Sequence, residues 1–202
     1  MECQGTVFVV DDDEDIRSSL RRLLEQVDLR IEEFSKASDF LEAYDPASPG
    51  CLLLDIRMPE MSGTELQKRM LERDIPLPII FITGHADFAI AVDCMKRGAF
   101  EFIEKPVRAQ RLLDTIQRAL NLDRDRRATR VKIDAAKKHF SHLTPRESQV
   151  VEFAVRGFTN RDIARELGVS SQAIDAHRSK AMQKLGVTNV ADRVRLIQKV
   201  ED

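Results

Sequence analysis

The chain has only three cysteines, Cys3, Cys51 and Cys94, with no C-x-x-C pair among them. Neither a disulfide framework nor a cysteine zinc site fits that count and spacing. Cys51 opens an apolar run and reads as a small buried hydrophobe. No apolar stretch approaches the roughly 20 residues needed to cross a bilayer, and the first residues lack the basic and then apolar pattern of a secretory leader. These absences predict a soluble, cytoplasmic protein with no membrane partner.

A single sign of charge is also missing overall, but only as an average. The net charge of −2 spread over 202 residues conceals a division. Residues 1–120 carry 15 Lys and Arg against 23 Asp and Glu, residues 121–138 carry 7 against 3, and residues 139–202 carry 10 against 8. An acidic first domain (1–121), a charged helical linker (122–138) and a mildly basic second domain (139–202) follow from this. The asymmetry points to an anionic partner for the C-terminal part alone. The linker has no Gly or Pro and reads as helical, poorly packed and solvated.

The first domain is organised around Val7-Phe8-Val9-Val10-Asp11-Asp12-Asp13, an apolar run that ends in acid. It does not alternate, so it reads as a strand buried on both faces, as in a parallel sheet. Further apolar runs occur near Ile31–Phe34, at Cys51–Leu54, Ile79–Ile82 and Phe100–Ile103. Helical patterns lie between and after them, at 16–27, 36–43, 64–73, 86–97 and 108–120. Five strands alternating with helices predict a doubly wound α/β domain.

Parallel strands bring their carboxyl ends to one rim, where ligands bind. Asp11, Asp12, Asp55, Thr83 and Lys105 all follow or end such strands. Carboxylates gathered there raise one another's pKa unless a cation lies among them. Asp11 or Asp12 together with Asp55 supplies hard oxygen ligands for Mg²⁺. A lone carboxylate beside that nest, Asp55, suits nucleophilic attack on a phosphoryl donor. Lys105 and Thr83 then stabilise the phosphoryl oxygens.

Val9-Val10-Asp11-Asp12-Asp13, Asp55-Ile56-Arg57-Met58-Pro59-Glu60-Met61-Ser62-Gly63, Ile82-Thr83-Gly84 and Lys105-Pro106 resemble the receiver domain of two-component response regulators. The resemblance covers about residues 5–121. It implies that Asp55 accepts phosphate from a sensor histidine kinase. It further implies that Asp11, Asp12, Asp55 and the backbone carbonyl of Arg57 hold Mg²⁺ (or Mn²⁺), that Thr83 and Phe102 form a switch pair, and that a cis peptide precedes Pro106. It gives Asp13 no role. Haloacid-dehalogenase-type phosphatases share part of the pattern in Asp11-x-Asp13, Thr83 and Lys105, but their acidic motif beyond the Lys is missing.

In the second domain, Thr144-Pro145-Arg146-Glu147 is a capping box with Pro at the first helical position. A helix bearing Val150, Val151, Phe153 and Ala154 stops at Gly157. Thr159 caps a short helix with Ile163, Ala164 and Leu167, closed by Gly168. Ser170 starts a third helix to about Leu185, and Thr188 a fourth with Val190, Val194 and Ile197. The Leu167-Gly168-Val169-Ser170 turn is a helix-turn-helix signature. On the third helix, Ile174, Ala181 and Leu185 share the core stripe. Gln172, Ala176, Ser179 and Gln183 then face outward, with Asp175 and Lys180 beside them, a face suited to the major groove.

Leu143-Thr144-Pro145-Arg146-Glu147, this turn and Ala176-His177-Arg178-Ser179-Lys180 resemble the LuxR-type DNA-binding domain. With the receiver in front, the chain resembles a FixJ- or NarL-type response regulator. That resemblance assigns base reading to Asp175, Ala176 and Ser179, with Gln172 beside them. Phosphate contacts fall to Lys180 and Lys184, and to His177 and Arg178 at the stripe's edge. The expected function is transcriptional regulation, in which phosphorylation of Asp55 controls dimerisation and binding of promoter DNA, with RNA polymerase as a further partner. The protein is expected not to be an enzyme beyond slow self-catalysed phosphorylation and dephosphorylation. A regulator independent of phosphorylation is the alternative.

Overall fold

The computed structural model describes residues 5–84 and 88–185. The chain divides into two compact units, 1–127 and 128–202. In the first, five strands pair in parallel in the order β2-β1-β3-β4-β5. They are β1 (Thr6–Val10), β2 (Arg30–Phe34), β3 (Gly50–Leu54), β4 (Ile79–Thr83) and β5 (Glu101–Glu104). The intervening helices are α1 (Glu14–Glu25), α2 (Ala37–Ala43), α3 (Gly63–Glu72) and α4 (Phe88–Lys96).

Successive strand side chains point to opposite faces, and both faces are covered. Phe8, Val10, Leu52, Leu54 and Phe81 pack with Phe40 and Leu41 of α2, Leu66 and Met70 of α3 and Cys94 of α4. Val7, Val9, Cys51, Leu53, Ile80, Ile82 and Ile103 pack with Leu20 and Leu24 of α1 and with Leu112, Ile116, Ala119 and Leu120 of the last helix. Cys51 is buried as expected, and burial pushes its thiol pKa up. β2 and β5 are the edge strands, and β2 has no fully buried residue, which is why its apolar signal is the weakest of the five.

The structure departs from the sequence reading at the end of this domain. The helix expected over 108–120 does not stop there. It continues as α5 (Ala109–Phe140), 32 residues, through the boundary between the two units. The first part of the stretch read as a solvated linker is packed. Asp123 is 1% exposed. Its Oδ2 accepts from the Gly50 N–H at 2.9 Å and from Arg127 Nε at 2.7 Å. Arg127 also donates from Nη1 to the carbonyls of Pro46 (2.8 Å) and Ala47 (3.2 Å), and from Nη2 to Ser48 O (2.8 Å) and the Tyr44 hydroxyl (3.2 Å). Burying the aspartate is tolerable because its charge has a guanidinium and a backbone donor. The guanidinium in turn distributes its fork of donors over the loop between α2 and β3.

The second unit holds α6 (Pro145–Val155), α7 (Asn160–Leu167) and α8 (Ser171–Leu185). The expected capping box of Thr144 with Glu147 is present, and Thr159, expected as a cap, forms a second box with Asp162. Gly168 ends α7 in the left-handed conformation, φ 65°. Val150, Ile163, Ala164 and Ile174 form one core cluster, and Val151, Ala181 and Leu185 another. The helix expected from Thr188, with Val190, Val194 and Ile197, lies outside the described residues.

Candidate functional site

The parallel order places Asp11 after β1, Asp55 after β3, Thr83 at the end of β4 and Lys105 after β5 on one rim. The site straddles β1 and β3, where the strand order reverses. Asp11 and Asp55 are both nearly buried. Lys105 Nζ lies between them, 3.0 Å from Asp11 Oδ2 and 3.0 Å from Asp55 Oδ1. The Lys105–Pro106 peptide is cis, and the Lys105 N–H donates to the Thr83 carbonyl at 2.8 Å.

The other carboxylate oxygens meet backbone. Asp55 Oδ2 accepts from the Arg57 N–H at 2.6 Å and Asp11 Oδ1 from the Asp13 N–H at 3.0 Å. Burial raises the Asp11 pKa despite the opposing hydrogen bonds from Lys105 and the Asp13 N–H. For Lys105, burial pulls the pKa down, but the hydrogen bonds to Asp11 and Asp55 outweigh it and leave it raised. The ammonium is thus held charged against two acids.

Asp13, without an assigned role in the sequence, is the N-cap of α1, accepting from the N–H groups of Asp15 and Ile16. Asp12 is exposed and lines a cavity of about 680 Å³ with Arg57, Met58, Pro59, Ile90 and Arg97. Among the described residues no three His, Cys, Asp or Glu side chains are grouped to hold a metal by themselves. Of the expected ligands, Asp11 and Asp55 share Lys105 between them, and Asp12 stands exposed beside the cavity. The donor set still suits Mg²⁺, which commonly takes one or two carboxylates and completes its shell with water and substrate phosphate.

Thr83 is buried. Phe102 on β5 is half-buried, beside Phe81, with ring centroids 6.3 Å apart. Sequence reasoning missed Arg17, whose Nη1 donates to the Asp11 carbonyl at 2.7 Å. It placed Gly63 within the motif but gave no reason for a glycine there: a Cβ would lie 2.2 Å from the Asp55 carbonyl oxygen.

In the second unit, α8 presents the expected faces. Ile174, Ala181 and Leu185 are fully buried. Gln172, Asp175, Ala176, Ser179, Lys180 and Gln183 are exposed, and His177 and Arg178 are half-buried. Three of the expected DNA contacts, Asp175, Arg178 and Lys184, already have partners in the free chain. Asp175 accepts from Asn160 Nδ2, and Lys184, read as a phosphate contact, donates to Glu147 Oε2 at 2.6 Å. The pairing of Lys184 has a cause: Glu147 is buried, and its second task, accepting from the Thr144 N–H at 2.8 Å, leaves a charge that needs a cation.

The Lys184 hydrogen bond first, and then that of the Thr144 N–H, hold the Glu147 carboxyl down to about 2 against an ordinary 4.5. A depressed carboxyl favours the folded state above its unfolded value and loses that contribution as pH falls through the folded one. Glu147→Gln should therefore lower the melting temperature at neutral pH. The gap to the parent should close as pH falls from about 4.5 toward about 2. A gap in melting temperature that stays constant over the pH range where both remain folded would show that the charge contributes nothing.

Comparison with known proteins agrees with this architecture. The response regulator receiver domain model matches residues 7–117, and that of bacterial regulatory proteins of the luxR family matches residues 141–197. The chain is 38% identical over 198 residues to the response regulator protein TodT of Pseudomonas putida, covering 98% of this chain and 87% of TodT. It is 36% identical over 196 residues to the transcriptional regulatory protein FixJ of Bradyrhizobium diazoefficiens, covering 97% and 96%. Among solved structures, the response regulator StyR matches with a TM-score of 0.81 at 46% identity, over 96% of this chain and 98% of that one. These matches displace the phosphatase alternative, and the chain belongs to the response regulators that join a receiver domain to a LuxR-type DNA-binding domain, as FixJ and TodT do.

Proposed function

We propose that Asp55 accepts a phosphoryl group from a sensor histidine kinase and that this modification controls binding of promoter DNA by the second unit. The observation that carries the reading is Lys105 held between Asp11 and Asp55. In the transfer, an Asp55 oxygen forms a bond to phosphorus while the bond from phosphorus to the donor histidine nitrogen breaks, its electron pair leaving with the imidazole. Lys105 moves part of its pairing from carboxylate to phosphoryl oxygen, and the Thr83 hydroxyl donates to another. Asp11, Asp12 and the Arg57 carbonyl would hold Mg²⁺ or Mn²⁺, which supplies neutralisation of phosphoryl charge. The chemistry acts on the chain itself, so the protein is a regulator with at most slow self-catalysed turnover and not an enzyme.

Phe102, half-buried beside Phe81, reports the change to a dimerisation face. One short helix in a groove gives limited affinity, and two copies on half-sites about one helical turn apart give much more. RNA polymerase is the proposed downstream partner and the cytoplasm the proposed location. No helix among the described residues is long and apolar enough to cross a membrane.

The test is to select a duplex from random DNA with the full chain, then measure its affinity and the dimer fraction with and without acetyl phosphate and Mg²⁺. Phosphorylation should tighten binding by about 5- to 150-fold, the usual range of coupling between sites, and raise the dimer fraction. Equal affinity in both states would instead support the phosphorylation-independent regulator.

A further inference from the structure

Asn160, the first residue of α7, is half-buried beside α8. Its side-chain amide serves two residues of that helix at once. Nδ2 donates to Asp175 Oδ1, and Oδ1 accepts from Arg178 Nη1 at 2.8 Å. The orientation of the amide is fixed by its partners: turned over, it would set NH₂ against a guanidinium and an oxygen against a carboxylate. Only a group with both a donor and an acceptor end can satisfy this pair. An aspartate at position 160 would keep Arg178 and repel Asp175, and an alanine would hold neither.

An exposed carboxylate on a DNA-reading face is costly, because it repels phosphate and its terminal torsion is broad. Untethered, Asp175 can swing to accept an amino group from cytosine or from adenine, and so distinguishes them poorly. With Oδ1 bound to Asn160, the other oxygen is presented in one direction. We propose that Asn160 is a positioning residue for DNA recognition: it holds Asp175 and Arg178 in one arrangement and thereby narrows the base that Asp175 accepts. The inference rests on the reading of α8 as the recognition helix.

The experiment uses the full chain, duplexes selected from random DNA, and four proteins besides the parent: Asn160→Ala, Asn160→Asp, Asp175→Ala and the double variant Asn160→Ala/Asp175→Ala. Asn160→Ala should lose about tenfold of discrimination at the base position that Asp175→Ala also alters, the scale of one good base contact. Its affinity for random duplex should change far less. Asn160→Asp should lose the same discrimination and also bind all duplexes more weakly, since it adds negative charge near phosphate. The double variant should discriminate no worse than Asp175→Ala alone, because the two residues act as one unit.

Unchanged discrimination in both Asn160 variants, with Asp175→Ala altering the selected site, would overturn the positioning role while leaving α8 as the reader. Uniform weakening of every duplex together with a lower melting temperature would also overturn it, because that is what a purely structural asparagine does. If Asp175→Ala leaves the selected site unchanged in a chain that still binds DNA, the reading of α8 itself fails.

Discussion

Incubated with acetyl phosphate and Mg²⁺, the chain should take up one phosphoryl group, and Asp55→Asn should take up none. Two buried carboxylates compete for the role, since Asp11 and Asp55 lie equally far from Lys105 Nζ. Asp55 is favoured by its surroundings. It stands alone after its strand, beside the cavity lined by Asp12 and Arg57, where a donor has room to approach. A backbone N–H holds each carboxylate, so that contact does not separate them, but burial raises the pKa of Asp11. Asn is close to isosteric and its amide oxygen can still accept from the Arg57 N–H, so the fold should survive while the nucleophile is lost. Intact mass measured before and after incubation decides the matter. Full labelling of the Asn variant would move the acceptor to Asp11.

A second large effect should come from a single methyl group. At Gly63, the first residue of α3, a Cβ would stand 2.2 Å from the Asp55 carbonyl oxygen and 3.1 Å from both the Asp55 carbonyl carbon and Ile56 Cα. All three are backbone atoms, so no side chain can swing aside. The Gly63 N–H also donates to the Ile56 carbonyl at 2.9 Å, which closes the 55–63 loop on itself. Gly63→Ala must push that loop outward, at a cost of about 3 kcal/mol, the upper part of the usual overpacking range. For a domain of this size that is a fall in melting temperature of about 10 °C. Asp55 moves with the loop, and misplacement of a reacting group by about 1 Å can slow transfer about 100-fold. Calorimetry and the rate of phosphoryl uptake test the two halves separately. A melting temperature within about a degree of the parent's would show that the loop relaxes freely.

The layered domain and the acidic rim were legible because both are written in local pattern: unbroken apolar runs for buried strands, and a polar residue where each run stops. Thr144, Thr159 and Gly168 were legible for the same reason, since caps are decided within four residues. Asp123 and Arg127 were misread as solvated because, apart from each other and the Tyr44 hydroxyl, their partners are main-chain groups at 46–50, which carry no side-chain signature. A signal was nonetheless present. The stripe Leu112, Ile116, Ala119 and Leu120 continues at helical spacing onto Asp123 and Arg127, so the pair lies on the buried side of α5 with opposite charges four apart. The partner of Lys184 escaped the sequence for a related reason, because the charge of a buried capping glutamate requires a cation that the capping pattern does not name. Asn160 gave no periodic signal at all, since its importance lies in what stands across from it on α8.

The grip of Arg127 on the loop before β3 falls on the carbonyls of Pro46, Ala47 and Ser48. Every amino acid supplies a carbonyl, so lineages of this protein are free to change the side chains at 47 and 48 without disturbing the pair on α5. The same loop cannot change in length. One inserted or deleted residue would displace three acceptors together and strand a half-buried guanidinium. Surface loops ordinarily absorb insertions, and this one should instead accumulate substitutions while keeping its residue count, a pattern of descent set by a contact with main chain.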